Sequence, residues 1–102
     1  MVGHYNSHCS IAGSRIYNQR MIPQITPSST NPKFTRNGYK TTFRMLANDN
    51  ALGAGLALHA ANNLKLKKVA IIDDRSAYGQ GVAEVFAATA KAKGIQIVDQ
   101  QY

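Results

Sequence analysis

The chain has 102 residues, 44% of them hydrophobic, which is enough for one small domain at most and a modest core. No run of about 18 apolar residues occurs, so we expect no membrane-spanning helix. The net charge of +7 suggests nucleic-acid binding, but the basic residues are spread along the sequence and no motif of a nucleic-acid-binding module is present. We therefore expect no nucleic-acid partner.

The first five residues are short and partly apolar, and they are compatible with a strand. Met1–Tyr5 lacks the basic start and long apolar segment of a signal peptide, so we expect a protein made as this chain to stay in the cytoplasm. The single cysteine, Cys9, cannot form a disulfide within the chain.

The first half of the chain alternates helix and strand patterns. Apolar residues at helical spacing predict a helix over Ser10–Gln19, with Ser7 or Ser10 as its N-cap. Ile22–Ile25 predicts a short buried strand, and residues 26–41 form a long polar segment rich in turn residues. Such a long loop in a small domain is usually functional or disordered. Thr42–Leu46 is a further candidate strand.

The second half predicts a helix followed by a βαβ unit. A helix from about Ala51 to Lys65 carries an apolar stripe at Leu52, Leu56, Ala60 and Leu64, which Ala57 and Ala61 extend. The apolar run Lys68–Asp74 is typical of a parallel strand covered on both faces. A helix over Tyr78–Lys93 follows, with Val82, Val85, Phe86 and Ala90 facing the core and Gly94 ending it. The last predicted strand is Ile95–Val98, and the connection is expected to be right-handed.

Hydroxyl side chains cluster where two predicted strands end. Ser7 and Ser10 follow the first, and Ser28, Ser29 and Thr30 follow the second. Because ligands of open α/β sheets lie outside the carboxyl ends of the strands, we expect these residues to line a small-molecule site. The alternative is that they are only caps and turn residues.

Three other patterns suggest chemistry but lack essential parts. His4, His8 and Cys9 fall short of the four ligands of a structural zinc site. Asp73-Asp74 at a strand end is similar to the acidic pair of magnesium-binding receiver domains, but the rest of such a domain does not follow. Gly79-Gln80-Gly81 lacks the third glycine of a dinucleotide fingerprint. We expect no metal, no cofactor and no catalytic residues, and hence no enzyme.

The whole chain, in one register, resembles the periplasmic leucine/isoleucine/valine-binding proteins, the solute receptors of branched-chain amino-acid ABC transporters. The match runs through Val2–His4, Ile16–Asn18, Ile25–Pro32, Gly38–Lys40, Phe43-Arg44, Val69–Asp74 and Ala77–Gly81. The resemblance implies a fragment of a two-lobed, α/β type I periplasmic binding protein with a mostly parallel sheet flanked by helices. Residues 1–49 would belong to the first lobe and residues 50–102 would start the second.

The resemblance also implies a division of roles at the ligand. The α-carboxylate would be held by Ser7 and by the hydroxyl and backbone N–H of Thr30. The ammonium would meet the backbone carbonyl of Ser28 and the Thr30 hydroxyl, and Tyr78 would close from the second lobe. The acidic residue that completes ammonium binding in the family would lie beyond Tyr102.

The resemblance and the isolated chain together lead to two alternative functions. The parent protein would be periplasmic, would bind a branched-chain or related amino acid, and would deliver it to a membrane permease, while the chain alone would bind weakly or not at all. Alternatively, the chain is a self-associating structural α/β module. In either case exposed sheet edges predict a homo-oligomer, because unpaired edges pair with other chains.

Overall fold

A computed structural model describes all residues from Met1 to Tyr102. Four helices and four strands follow one another in the order α1 (Ser7–Gln19), β1 (Gln24–Thr26), α2 (Lys33–Arg36), β2 (Thr42–Arg44), α3 (Asp49–Asn62), β3 (Lys68–Ile72), α4 (Ala77–Ala92) and β4 (Gln96–Gln101). None of the helices combines the length and the hydropathy that a membrane crossing requires. The predicted α/β class with parallel strands flanked by helices is confirmed.

The chain divides into two compact units, Met1–Asn48 and Asp49–Tyr102, here called unit 1 and unit 2. Unit 1 contains α1, β1, α2 and β2, and unit 2 contains the remaining four elements. Each unit has its own two-stranded parallel sheet.

In unit 1, β1 and β2 pair in parallel, with Gln24 opposite Thr42 and Thr26 opposite Arg44. The N-terminal residues lie beside β1, where Val2 forms a single parallel bridge with Ile25 rather than a full strand. Almost everything buried here is polar: the one buried hydrophobic side chain of unit 1 is Phe34, and the buried polar ones are Ser7, Ser10, Ser14, Gln24, Thr26, Ser29, Thr30, Asn31, Thr41 and Thr42. The interior of unit 1 is therefore held largely by hydrogen bonds.

Two details of unit 1 differ from the sequence predictions. The helix α1 begins at Ser7, not Ser10, and its N-cap residue is Asn6, whose side chain makes no capping hydrogen bond. The predicted caps were wrong because both serine side chains bond to segments distant in sequence. The polar segment also contains the short helix α2, which begins where the Lys33 N–H donates to the Asn31 side-chain oxygen at 2.9 Å.

Unit 2 is a βαβ unit with an extra helix packed on it. β3 and β4 run parallel and α4 connects them, while α3 packs along α4. The contact between the helices is made by small residues, because a Cβ on Gly53 would lie only 2.8 Å from the Val82 carbonyl oxygen. The helix α4 ends as predicted, with Gly94 at a φ of 80°, a left-handed conformation that glycine adopts without strain.

The predicted core of unit 2 was partly wrong. Leu52, Leu56 and Leu64 are 37–59% exposed, whereas Ala57 and Ala60 are buried as predicted. The other buried residues of α3 are Asp49 and Gly53. On α4 the buried residues are Ala83, Ala87 and Ala90, whereas Val82, Val85 and Phe86 are half-buried. The close approach of α4 leaves no room for a side chain on α3 at Gly53, where a Cβ would meet the Val82 carbonyl oxygen and the Val85 side chain.

The strand β3 is covered on one face within this chain, not on both. Ile71 is buried against α4, whereas its neighbour Ile72 is 81% exposed. Successive strand residues point to opposite faces, so the alternation identifies one packed face and one bare face. The apolar run of residues 68–74 correctly predicted a strand. It did not show that only one face of this strand would be covered within the chain.

Candidate functional site

The loop that follows β1 is folded around the side chain of Thr26. Its hydroxyl donates to the His4 carbonyl oxygen at 3.0 Å and accepts from the backbone N–H groups of Ser28 and Ser29, at 3.2 and 2.9 Å. One buried hydroxyl thus turns the chain at the carboxyl end of the strand and fastens it to the N-terminal segment. This turn places the next residues, Ser29 to Asn31, beside the start of α1.

Ser29 serves as a second fastening of the same loop. Its Oγ lies 2.6 Å from the Ser10 Oγ, and it also contacts the carbonyl oxygens of His4 at 3.0 Å and Tyr5 at 3.3 Å. The residue is 1% exposed. Because a hydroxyl has one hydrogen and this one already has three partners, the Ser29 side chain positions the loop rather than facing an open site.

Ser7 and the residue pair Thr30–Asn31 meet at the first turn of α1. The Asn31 N–H donates to the Ser7 Oγ at 3.3 Å, and Ser7 is 2% exposed. The hydroxyl hydrogen of Ser7 remains available to a further acceptor. The N-terminal N–H groups of α1 are not capped by the Asn6 side chain, and no acidic residue occupies the first turn. Such a helix start attracts an anion.

Thr30 provides the clearest sign of a site. The residue is 9% exposed, and its hydroxyl oxygen is fully buried without any hydrogen-bond partner. An unsatisfied buried polar group costs about 1–3 kcal/mol. Buried polar groups are otherwise nearly always paired, so the unpaired Thr30 hydroxyl calls for an explanation.

The charge of unit 1 agrees with an anionic ligand. All five acidic residues of the chain, Asp49, Asp73, Asp74, Glu84 and Asp99, lie in unit 2. Unit 1 contains six of the twelve basic residues, among them Arg44, and no acidic one. A carboxylate bound at Thr30 therefore meets no like charge from the unit that holds it.

Arg44 holds the loop from the side of β2. Its Nε donates to the Ser29 carbonyl oxygen at 3.0 Å, and a terminal nitrogen donates to the Asn31 carbonyl oxygen at 2.7 Å. Sequence reasoning did not identify Arg44 or Thr26 as part of the site. The sequence signal that could have found them is their position, because each lies at the carboxyl end of a strand and the two are paired across β1 and β2.

The remaining predicted residues fall in two places. Ser28 is half-buried in the loop, and its N–H is bonded to Thr26. Tyr78 lies in unit 2, at the second residue of α4, and is 48% exposed. It borders a groove of about 350 Å³ whose walls are apolar, formed by Leu56, Ala70, Ile71, Ile72, Gly79, Val82, Ala83 and Phe86.

The residues considered for metal chemistry have local partners instead. The Nε2 of His4 lies 3.1 Å from the Tyr17 hydroxyl, and His8 and Cys9 are exposed. Asp73 and Asp74 accept from the backbone N–H groups of Arg75 and Ser76, at 2.8 and 2.9 Å, in the turn that leads into α4. No three His, Cys, Asp or Glu side chains gather as a metal site would require.

The parallel α/β units and the hydroxyl loop outside a strand end are those of a ligand-binding receptor. Residues 1–102 match the model of the receptor family ligand binding region, and the chain belongs to this family. Within it, the resemblance to the leucine/isoleucine/valine-binding proteins, which are type I periplasmic binding proteins, is confirmed.

Three relatives show the extent of the similarity. An amino acid binding protein of Pseudomonas aeruginosa is 40% identical over 98 residues, which are 96% of this chain and 26% of that protein. A leucine binding protein, LivK, from Thermotoga maritima superposes with a TM-score of 0.93 at 30% identity, over 99% of this chain and 29% of its own. An ABC transporter substrate-binding protein from Desulfitobacterium hafniense in complex with Leu gives a TM-score of 0.86 at 35% identity, over 98% of this chain and 30% of its own. The chain thus spans about a quarter to a third of these relatives.

Proposed function

We propose that the chain supplies part of a receptor that captures a branched-chain or related amino acid for uptake by an ABC transporter. The observation that carries this proposal is the buried, unpaired hydroxyl of Thr30 beside the uncapped start of α1. The relatives add the ligand class, since one is named a leucine binding protein and another was solved with Leu. The proposed role is binding without catalysis, in the periplasm, with a membrane permease as the partner of the whole receptor.

In the proposed mode of binding, unit 1 recognises the two charged ends of the amino acid. Ser7 and Thr30 donate their hydroxyl hydrogens to the carboxylate, together with the Thr30 N–H and the first turn of α1. The Ser28 carbonyl oxygen accepts from the ammonium. A carboxylate needs donors and an ammonium needs acceptors, and a loop beside a helix N-terminus offers both within a few ångströms.

We further propose that residues 1–49 belong to one lobe of the receptor and residues 50–102 start the second, with Tyr78 closing over the ligand. The family provides an acidic partner for the ammonium, and we assign none of the five acidic residues of unit 2 to that role. Hydrogen bonds to charged groups contribute roughly 1.5–3 kcal/mol each. Loss of several of them leaves the 102-residue chain a weak binder.

An NMR titration of the isotope-labelled chain tests this site, because chemical shifts detect weak binding. We expect L-leucine to shift the amide signals of Ser7, Thr30 and Asn31. Leucinamide, which keeps the ammonium and the side chain but lacks the carboxylate, should leave them in place. A response to leucinamide equal to that of L-leucine, or signals that shift only in other parts of the chain, would contradict the proposed site.

A second candidate function is self-association, and a specific surface favours it. The exposed Ile72 of β3 forms part of the wall of the apolar groove that Leu56 and Tyr78 border, and β3 has a paired neighbour on one edge only. Exposed apolar edges promote pairing with a second copy of the same strand. Light scattering across a range of concentrations should then give a mass above that of the monomer, and a constant monomer mass would exclude this candidate.

A further inference from the structure

The contacts of Arg44 fix the backbone on both sides of Thr30. Its guanidinium donates to the carbonyl oxygens of Ser29 and Asn31, at 3.0 and 2.7 Å, and these two residues flank Thr30 in the chain. The same guanidinium carbon lies 5.9 Å from the ring centroid of Phe34, which is 0% exposed. A buried ring and two carbonyl groups therefore hold the planar head group in one orientation.

Because the peptide bond is planar, the orientation of Arg44 also fixes the orientation of the backbone at Ser29 and Thr30. In a trans peptide the C=O of one residue and the N–H of the next point in opposite directions. Because the Ser29 carbonyl points to Arg44, the Thr30 N–H points away from Arg44. The Asn31 N–H, one peptide further along, is directed to the Ser7 Oγ. Arg44 thus sets the direction of the Thr30 N–H, one of the donors proposed to meet the carboxylate. The Asn31 carbonyl precedes Pro32, which has no N–H, so this second bond anchors the far side of the loop without orienting a donor.

We propose that Arg44 is a positioning residue for the amino-acid site, acting through the Ser29 and Asn31 carbonyl groups and not by touching the ligand. This inference rests on the proposed function of the Thr30 loop. Lysine cannot replace arginine here, since a single ammonium lacks the rigid fork that reaches two acceptors at once. A positive charge at position 44 is therefore not enough to hold the Ser29 and Asn31 carbonyl groups together.

Amide hydrogen exchange on the ligand-free chain tests this inference separately from leucine binding. In Arg44→Ala we expect the Ser29 and Asn31 amides, bonded to the hydroxyls of Thr26 and Ser7, to exchange about tenfold faster or more. The amides of Ile22 and Gln24, which donate to backbone carbonyls of unit 1, should keep their rates. Ethylguanidinium in solution should restore slow exchange, and ethylammonium should not.

Two further variants make the test decisive. Arg44→Lys keeps the charge and should still accelerate exchange at Ser29 and Asn31, and it provides the measurement if Arg44→Ala does not fold. Arg36→Ala removes an exposed cation of the same unit and should change neither rate. Unchanged exchange at Ser29 and Asn31 in the Arg44 variants, or equal acceleration at Gln24, would overturn the inference. If wild-type Thr30 fails to respond to L-leucine while the exchange pattern holds, the proposed ligand is wrong and the positioning role stands.

Discussion

The hydroxyl oxygens of Ser10 and Ser29 lie 2.6 Å apart in the interior of unit 1, joining the first helix to the loop that follows the first strand. These residues are 19 positions apart in the sequence, and both are almost completely buried. The contact separates two tasks within the loop. Ser29 holds the loop in place, and Ser7 and Thr30 are the residues proposed to face a ligand.

We predict that the contact between Ser10 and Ser29 contributes to the stability of the fold. Ser29→Ala should lower the free energy of unfolding by about 0.5–1.5 kcal/mol, because it removes the buried hydroxyl that bonds the loop to Ser10 and to the His4 carbonyl oxygen. The matched control is Ser28→Ala, which removes a half-buried hydroxyl that makes no side-chain bond and should change stability by less than about 0.5 kcal/mol. Urea denaturation followed by circular dichroism measures both. Equal effects of the two substitutions would contradict the assigned role.

A substitution at Thr30 should act in the opposite direction. Thr30→Val keeps the branched shape but removes the unpaired hydroxyl, so it should raise the free energy of unfolding by up to about 1 kcal/mol. The same variant should lose the response of the Asn31 amide to L-leucine. Thr35→Val, on the exposed side of α2, is the control and should leave the response intact. A destabilised Thr30→Val would indicate that the hydroxyl has a structural partner.

The packing of unit 2 predicts opposite outcomes at two glycines in one helix. Gly53→Ala should destabilise by about 1–3 kcal/mol, because the new Cβ meets the Val82 carbonyl and the Val85 side chain at 2.8 Å. Gly55→Ala points into open space and should stabilise α3 by up to about 1 kcal/mol. Thermal unfolding of the two single variants distinguishes them. A stable Gly53→Ala would mean that α3 and α4 can separate without loss.

We predict that the 102-residue chain binds L-leucine only weakly. Isothermal titration calorimetry of the 102-residue chain with L-leucine should show no saturation in the micromolar range, because Ser7, Ser28 and Thr30 supply only part of the charged contacts. A micromolar dissociation constant would overturn the proposal that this chain alone is a weak binder.

Self-association also has a direct test. Ile72→Lys places a charge on the bare face of β3 and should reduce any dimer or larger species seen by light scattering, since inward or edge charges oppose strand pairing. Ile16→Lys alters another exposed isoleucine, on α1 of unit 1, and should leave the mass unchanged. Identical masses for wild type and both variants would remove β3 as the interface.

The periodicity of the sequence predicted most of the helices and strands. It predicted few of the contacts made by the loop of residues 28–31. The βαβ unit, the Gly94 helix end and the α4 boundaries follow from local sequence, because caps and apolar spacing act within a few residues. The buried stripe of α3 could not be read in the same way. Its leucines are more apolar than Gly53 and Ala57, and only the position of α4 determines which face is close-packed.

The site shows the same limit. The grouping of Ser28, Ser29 and Thr30 at a strand end is visible in the sequence, but their different environments are not. Contacts to His4, Ser10 and Arg44 cross 13 to 25 residues of chain and distinguish a fastened hydroxyl from a free one. Arg44 in particular looks like any other basic residue until β2 is placed beside β1.

The polar interior of unit 1 has a thermal consequence. Exposure of apolar surface raises the heat capacity on unfolding, and exposure of polar surface lowers it. Unit 1 buries Phe34 and otherwise mainly hydroxyl and amide groups, whereas unit 2 buries alanine and isoleucine side chains. Unit 1 should therefore contribute the smaller heat-capacity increment per residue, and its free energy of unfolding should curve less with temperature than that of unit 2.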